Sequence, residues 1–416
     1  MTLAHAPAYT LGAQAGLRRW EPVLAALCLA QFSEPFFAAW AQAQGATEPP
    51  GFARIFFAPA MGLLAWAAWR GRAEAWAAMR AAPLLLALVA LAFASTLWSI
   101  ESGATLRRSV WLALTMGFGL YLAWRYEWRT LIEIVAGAVG ALVIGSLLVG
   151  VLAPGIGRMA MEHPGAWGGL WTHKNTLGGI MALGAPACIA AAFVAPQRRR
   201  VWLACAFGAL ALIFLSTSKT ALVAMLLGLG VIGACMLARR GPLQAVLVIA
   251  GALAAVLLGA AIVLLAPDLI VGALGRDLTL TGRTEIWEAA APHVAARPWL
   301  GFGYGAFWEL DAGPAFWVRQ AVNWEVASAH SGWLELSLGL GRVGVGVFAL
   351  SLASTLARGL GSAFDARAGL WAPAFIAAFA LYTLSESHVM EANNLFWTIY
   401  VAVAARLALD AREKNA

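Results

Sequence analysis

The feature that most constrains this chain is a series of apolar runs, each long enough to cross a lipid bilayer as a helix. A bilayer with a hydrocarbon core of about 30 Å needs about 20 mostly apolar residues per helix. About twelve such runs occur, at approximately 22–41, 53–69, 81–98, 109–124, 131–153, 176–195, 201–217, 220–238, 244–266, 332–357, 368–385 and 395–409. A helix pairs its backbone polar groups within its own segment, as lipid requires. The sequence therefore predicts an all-α polytopic membrane protein with about twelve transmembrane helices.

The composition agrees with this prediction and argues against several classes of soluble protein. Hydrophobic residues make up 62% of the chain and charged residues 12%, whereas soluble domains have roughly 45–50% and 25%. The four cysteines lie in apolar runs and form no C-x-x-C motif or metal-ligand spacing. We therefore expect no disulfide framework, no metal site and no redox dithiol.

The positions of the basic residues predict the orientation of the chain. If the N-terminus is cytoplasmic, seventeen Arg and Lys residues fall on inside segments and six on short outside segments. Basic residues are enriched on the cytoplasmic side of membrane proteins, so we expect both termini to be cytoplasmic. The segment at about 267–331 then becomes one long outer loop with short helices, within a single transmembrane domain that covers residues 1–416.

The basic residues on the outer side are candidate contacts for an anionic lipid headgroup. Arginine binds phosphate oxygens with two parallel hydrogen bonds, and the amides at a helix N-terminus also bind anions. The alternatives are an interfacial anchor, a side chain that extends to the membrane surface or a weak surface ion pair. The candidates are Arg107 and Arg108, the segment His173, Lys174 and Asn175, Lys219 at a hairpin tip, and Arg283 at a helix start.

Three further residues on the outer side can carry acid–base or binding chemistry. His330 directly follows the long loop, where a histidine can act as a general base; a hydrogen-bonded interface residue is the alternative. Glu386 and His388 follow the eleventh apolar run and can assist acceptor binding, although an ordinary polar connection is equally compatible. A transporter would instead place ionisable groups near the bilayer midplane.

The order of these motifs resembles the bacterial O-antigen ligase and polymerase superfamily, most closely its branch of exopolysaccharide polymerases related to Wzy. The matching residues are Trp98-Ser99, Thr105 to Arg108, His173 to Asn175, Leu177-Gly178, Ser216 to Thr220, Gly282-Arg283, Ile286-Trp287, Arg297-Pro298, Gly301 to Trp308, His330, Leu334-Glu335 and Gly341.

This resemblance implies a membrane glycosyltransferase of the GT-C type that uses neither metal nor cofactor. The essential histidine of the superfamily corresponds to His330, its loop arginine to Arg283 and its hairpin basic residue to Lys219. The chain departs from the common pattern at two positions. Ser331 stands where asparagine is frequent, and Lys219 stands where arginine is frequent, which removes two-pronged phosphate binding at that position.

The resemblance also implies a substrate and a location. The donor would be an oligosaccharide on undecaprenyl pyrophosphate, polymerised into exopolysaccharide or O-antigen at the periplasmic face of a bacterial inner membrane. The implied partners are this donor, a glycan acceptor and membrane lipids, and not nucleic acid. One alternative is an O-antigen ligase that transfers the glycan to lipid A–core, and another is a transporter of lipid-linked glycans without enzymatic activity.

Overall fold

The computed structural model describes residues 20–43, 51–160, 163–265, 282–309, 313–364 and 369–415. Within these ranges the regular structure is helical, and an isolated bridge pairs Arg158 with Trp167. The predicted all-α class is therefore confirmed. The chain groups into two compact units, which are treated separately below. The first contains residues 1–82, 116–216 and 398–416, and the second contains residues 83–115 and 217–397.

The helices follow the apolar runs along the chain. In chain order they are α1 (Trp20–Gln31), α2 (Phe37–Ala43), α3 (Ala58–Arg70), α4 (Arg72–Ala81), α5 (Pro83–Ala94), α6 (Ser102–Arg125), α7 (Trp128–Leu152), α8 (Pro154–Gly157), α9 (Lys174–Val194), α10 (Arg199–Ser216), α11 (Lys219–Ala238), α12 (Pro242–Leu265), α13 (Arg283–Ala296), α14 (Pro314–Val322), α15 (Gly332–Ser362), α16 (Trp371–Ser385) and α17 (Leu395–Asn415).

Six helices in the described part of the chain are long and apolar enough to cross a membrane. They are α7, α9, α10 with its preceding turn, α11, α12 and α15; a bent pair formed by α4 and residues 83–97 would make seven. The chain is therefore a multi-pass membrane protein, as predicted. The predicted number of about twelve spans exceeds this count, and it stays a prediction together with the GT-C architecture.

Prolines have different effects in two of the predicted runs. The run at 22–41 divides into α1 and α2 at Pro35, which has no backbone N–H to continue a helix. The neighbouring residues Glu34 and Phe36 take positive φ angles of 52° and 66°. The run at 81–98 contains α5 and the 3-10 turn Ser95–Leu97, and Pro83 is the first residue of α5. Proline is tolerated at the first helical position, because the N–H that it lacks would have no partner there. Pro35 therefore interrupts an apolar run, whereas Pro83 begins a helix.

The described part of the predicted long loop is folded around α13 and α14. These two short helices share a hydrophobic core with the segment that connects them, and the start of α15 contributes to it. The core consists of Ile286, Ala290, Phe302, Phe307, Trp308, Ala315, Val318, Val322, Val326, Ala329 and Leu338. Short helices are therefore present in this segment, whereas residues 267–281 and 310–312 of the predicted loop lie outside the described residues.

Helix α15 contains a backbone break that this loop fills. Gly341 has a φ angle of 62° and a ψ angle of −161°, so the helical hydrogen bonds are interrupted there. The loop supplies replacement acceptors: Arg342 N donates to Pro298 O at 2.8 Å, and Val343 N donates to Trp299 O at 3.2 Å. Non-helical backbone in a membrane-spanning element needs this kind of pairing. The loop is thus bound to the helix through the backbone.

The alternating glycines of this loop are required by close packing. Gly301, Gly303 and Gly305 all have positive φ angles, of 66°, 102° and 67°. A Cβ atom on Gly303 would lie 2.3 Å from Ser99 Oγ, and one on Gly305 would lie 2.6 Å from Arg108 Cδ. Glycine permits both the backbone conformation and the close approach. The segment therefore packs the loop against residues 99–108.

Candidate functional site

Three residues from distant parts of the second unit meet at one carboxylate. Arg283 is the first residue of α13, His330 precedes α15, and Glu386 follows the end of α16. Arg283 Nη2 donates a hydrogen bond to Glu386 Oε1 at 2.7 Å. On the other side of the carboxylate, His330 Nδ1 lies 3.7 Å from Glu386 Oε2. We refer to His330, Glu386 and Arg283 as the His330 cluster.

The carboxylate of this cluster is largely buried but charged. The side chain of Glu386 is 17% exposed and that of His330 is 38% exposed. Burial raises the pKa of Glu386, but His330 and the Arg283 guanidinium lower it by more, and the resulting pKa lies below the usual glutamate range. Glu386 is therefore ionised at neutral pH. The Glu386 carboxylate can accept a hydrogen bond from the Nδ1–H group of His330. In that tautomer the Nε2 atom of the ring carries no proton.

The backbone around His330 is held in an unusual conformation. His330 has a positive φ angle of 48°, which non-glycine residues adopt rarely and often at functional sites. Ser331 is the N-cap of α15, and its side chain accepts from Leu334 N at 3.4 Å. Gly332 N donates to Glu386 O at 3.0 Å. Serine and asparagine are both good N-caps, so the departure at Ser331 preserves the cap.

Glu335, one turn into α15, supports the segment that precedes His330. Its carboxylate accepts from Trp308 Nε1 at 3.0 Å and from Ala329 N at 2.5 Å. These bonds connect α15 to the loop core and to the residue directly before His330. The side chain of Glu335 thus positions the backbone next to the cluster.

His388 lies two residues beyond Glu386 and belongs to a second polar group. Its Nδ1 atom lies 3.2 Å from Glu391 Oε2 and 3.1 Å from Asn394 Nδ2. The charged form of His388 also helps to lower the pKa of Glu386. The predicted candidates Glu386 and His388 are therefore near each other, but each has its own partners. Sequence reasoning missed Glu391 and Asn394.

Arg107 and Arg108 converge on a carboxylate that the sequence reading also missed. Arg108 Nη2 donates to Glu309 Oε2, and Arg107 Nη2 lies 3.7 Å from Glu309 Oε1. The arginine side chains are 62% and 41% exposed, and that of Glu309 is 26% exposed. Glu309 directly follows the segment Gly301 to Trp308, which is one of the motifs that match the superfamily. This position next to a motif was the available sign that Glu309 has a role. Isolated acidic residues are too common in surface segments for that sign to identify a partner of the two arginines.

The remaining candidates lie at helix starts. His173 is the N-cap of α9, and its Nδ1 atom accepts from Asn175 N at 3.2 Å. Lys174 is the first residue of the helix and is buried. This segment belongs to the first unit, whereas the His330 cluster belongs to the second. Lys219 begins α11, where its side chain is exposed.

Comparisons with known proteins confirm the resemblance to the O-antigen ligase and polymerase superfamily. Residues 204–349 match the sequence model of the family described as O-antigen ligase, Wzy_C. The exopolysaccharide production protein ExoQ of Rhizobium meliloti (strain 1021) is 29% identical over 234 residues, which cover 54% of this chain and 52% of ExoQ. The chain thus resembles the O-antigen ligase and polymerase superfamily, and its ExoQ-like branch. It spans about half the length of that curated relative.

The match to the O-antigen ligase family contains only part of the candidate site. Lys219, Arg283 and His330 lie inside residues 204–349. Glu386 lies outside this range and reaches the cluster through the fold. Its side chain contacts Arg283, which is 103 residues away in the chain. The structure therefore adds to the matched region a carboxylate that the superfamily resemblance did not assign to His330.

Proposed function

We propose that this chain is a membrane glycosyltransferase that polymerises undecaprenyl-pyrophosphate-linked oligosaccharide repeat units into exopolysaccharide or O-antigen. The reaction takes place at the periplasmic face of a bacterial inner membrane, in a GT-C fold of about twelve spans with cytoplasmic termini. The observation that carries the proposal is the His330 cluster, in which an ionised carboxylate lies between a histidine ring and an arginine. The superfamily resemblance supplies the substrate class.

His330 acts as the general base in this mechanism. Glu386 holds Nδ1 of the ring and stabilises the imidazolium that forms, while Nε2 takes the proton of an acceptor hydroxyl. The hydroxyl oxygen attacks the anomeric carbon of the donor, and the bond from that carbon to the pyrophosphate oxygen breaks. Undecaprenyl pyrophosphate leaves with the bonding electrons, and the anomeric configuration is inverted in one displacement. The distance of 3.7 Å shortens when substrate binds, as apo geometries often do.

The basic residues stabilise the leaving pyrophosphate. Among the described residues, Arg283 uses only Nη2, in its bond to Glu386, so its other N–H groups can bind a phosphate oxygen. Lys219, Arg107 and Arg108 supply further positive charge. In the first unit, the segment from His173 to Asn175 is proposed as a separate substrate-binding element. Fixed cations near a developing negative charge lower the barrier most in a partly dry site. No metal ion or cofactor is needed in this scheme.

Two other functions are separated from this one by their products. An O-antigen ligase would use the same donor and transfer the glycan to lipid A–core. We favour the polymerase because the similar protein ExoQ is an exopolysaccharide production protein. A transporter of lipid-linked glycans would move the donor without consuming it, so it would form no polymer from that donor.

Reconstitution tests the proposal. The purified protein is placed in vesicles with lipid-linked repeat units extracted from cells that lack it, and products are resolved on gels. Wild-type protein forms long polymer, whereas His330→Ala and Arg283→Ala variants that remain folded do not. His293→Phe is the matched control because His293 packs edge-on against Phe302 and Phe307, at centroid distances of 6.4 and 5.7 Å. Wild-type levels of polymer from His330→Ala would eliminate the general-base role.

A further inference from the structure

Residues 386–394 form the loop between α16 and α17. Tyr304 donates its hydroxyl proton to Met390 O, which anchors the middle of the loop to the segment that packs on residues 99–108. At the far end, Asn394 Oδ1 accepts from Trp397 N at 3.0 Å, so the loop ends as the cap of α17. Met390 also has a positive φ angle of 54°. The loop thus keeps a strained conformation through tertiary contacts.

Three polar side chains, those of His388, Glu391 and Asn394, are gathered on this loop. Asn394 Nδ2 donates to Glu391 Oε2, and His388 Nδ1 lies 3.2 Å from the same oxygen. Within the described residues, Glu391 Oε1 and His388 Nε2 take part in no hydrogen bond or ion pair. Glu391 is 49% exposed, and the His388 ring rests against Phe396 at a centroid distance of 4.5 Å. The loop therefore offers a carboxylate oxygen and a ring nitrogen, both held in place by their partners.

Buried polar atoms without partners are concentrated around the same loop. The side-chain oxygens of Ser385, Ser387 and Asn393 are buried and have no hydrogen-bond partner among the described residues. Native proteins pair nearly all such atoms, so a cluster of exceptions needs an explanation. These atoms flank the three polar side chains. Polar groups in this segment are therefore arranged at a cost to stability, which is typical of binding sites.

The charge of the loop indicates which part of the substrate it contacts. Glu391 is acidic and lies five residues from the ionised Glu386. The exposed carboxylate of Glu391 repels a pyrophosphate, whereas the charge of Glu386 is offset by its bond to Arg283. A carboxylate oxygen beside a ring nitrogen suits neutral hydroxyl groups, which can donate a hydrogen bond to the oxygen and form another with the nitrogen. The loop is thus suited to the sugar that attacks and not to the lipid diphosphate that leaves.

The loop also adjoins the proposed base. Glu386 O accepts from Gly332 N at 3.0 Å, and a Cβ atom on Gly332 would lie 2.5 Å from Val389 Cγ2. The start of α15, directly after His330, is therefore in contact with the loop on both sides of His388. A saccharide bound at His388 and Glu391 would lie next to the His330 cluster.

The geometry points to an acceptor-saccharide subsite formed by His388 and Glu391, with Asn394 holding the carboxylate in place. This inference rests on the proposed function for the identity of the acceptor, but saccharide binding can be measured without catalysis. The ligand class is a neutral sugar residue at the end of the acceptor glycan, recognised through two adjacent hydroxyl groups.

Binding to the full-length protein in detergent micelles tests the subsite directly. The probe is the lipid-free repeat-unit oligosaccharide, released by mild acid from lipid-linked units that accumulate in cells lacking this protein. We expect Glu391→Ala to weaken its binding roughly tenfold or more, because a hydrogen bond to a charged group is lost. Glu391→Gln keeps the shape and provides a second measurement if the alanine variant does not fold. Glu325→Ala is the matched control, since the Glu325 side chain is 91% exposed and pairs with Arg319.

Turnover in reconstituted vesicles separates the subsite from the proposed function. Glu391→Ala should raise the KM for the oligosaccharide acceptor by the same factor, with the KM for the lipid-linked donor changed less than about twofold. Wild-type protein that binds the oligosaccharide but forms no polymer supports the subsite and contradicts the polymerase function. Unaltered oligosaccharide binding by Glu391→Ala, or no binding by a wild-type protein that polymerises, overturns the subsite.

Discussion

Replacing Glu386 with glutamine removes one negative charge from the His330 cluster and keeps the shape of the side chain. The amide oxygen of glutamine can still accept the hydrogen bond from Arg283, so the fold around the cluster should persist. The amide cannot stabilise an imidazolium on His330 as a carboxylate does. The change therefore isolates the electrostatic contribution of Glu386 to proton transfer, and we expect it to lower kcat.

The size of the effect follows from the distance between the two side chains. At the 3.7 Å that separates His330 Nδ1 from Glu386 Oε2, opposite unit charges attract by about 4 kcal/mol at an effective dielectric constant of about 20 and by about 1 kcal/mol in water. Because the His330 side chain is 38% exposed, the value should lie between these limits. Each 1.36 kcal/mol changes a rate about tenfold, so kcat should fall roughly 5- to 900-fold.

The assay is initial-rate polymerisation in reconstituted vesicles at saturating donor and acceptor. Wild type, Glu386→Gln, His330→Ala and the double variant are compared, and thermal melting shows that each is folded. If Glu386 acts through His330, its substitution should change the residual rate of His330→Ala by less than about threefold, since residues that act as a unit are not additive. The KM values should change little in Glu386→Gln.

An equal loss of rate from Glu386→Gln in both backgrounds would refute this reasoning. The carboxylate would then act independently of the histidine, for example through its bond to Arg283. A wild-type kcat for Glu386→Gln would also contradict the proposal, because the ionised carboxylate would have no part in the rate-limiting step.

Two further predictions concern stability. Gly341→Ala should destabilise the protein by at least about 2 kcal/mol, because non-glycine residues resist a positive φ angle and the new Cβ would lie 2.3 Å from Trp299 C. Gly346→Ala is the matched control, since no atom lies within 4 Å of its Cβ position. An equal melting temperature for both variants would contradict this account. The pKa of Glu386 is lowered in the folded state. The ionised Glu386 side chain therefore stabilises the fold at pH values above the unfolded glutamate pKa of about 4.3. This stabilisation is lost as the pH falls through the lower pKa of the folded state. The melting-temperature difference between wild type and Glu386→Gln should therefore stay constant from neutral pH down to about 5, and its disappearance near pH 6 would be inconsistent with the lowered pKa.

The long apolar helices in the described part of the chain could be predicted from the sequence because length and apolarity are local properties. The runs at 131–153, 176–195 and 220–238 correspond to the helices α7 (Trp128–Leu152), α9 (Lys174–Val194) and α11 (Lys219–Ala238). Helix breaks were harder to predict. Pro35 was visible, but the positive φ angles on both sides of it depend on packing that no single window of sequence contains.

The topological interpretation of arginines was incomplete for the same reason. The sequence reading treated Arg125 as an orientation signal on the cytoplasmic side. In the first unit, Arg125 also forms two hydrogen bonds with the buried Glu21, at 2.6 and 2.9 Å. A charge count along the chain contains no information about such a partner, which is 104 residues away.

The chemistry of individual residues was determined by the sequence, and their partnerships were decided by the tertiary structure. His330, Arg283 and Glu386 were each predicted from residue type and local position. The position of the Glu386 carboxylate between the other two side chains depends on where three separate helices begin and end. Glu309 and Glu391 could not be distinguished from other acidic residues in the sequence. In the structure Glu309 contacts Arg108, and Glu391 contacts His388. A side chain carries its functional group wherever it lies, whereas the distance between two groups far apart in the chain is set only when the helices pack.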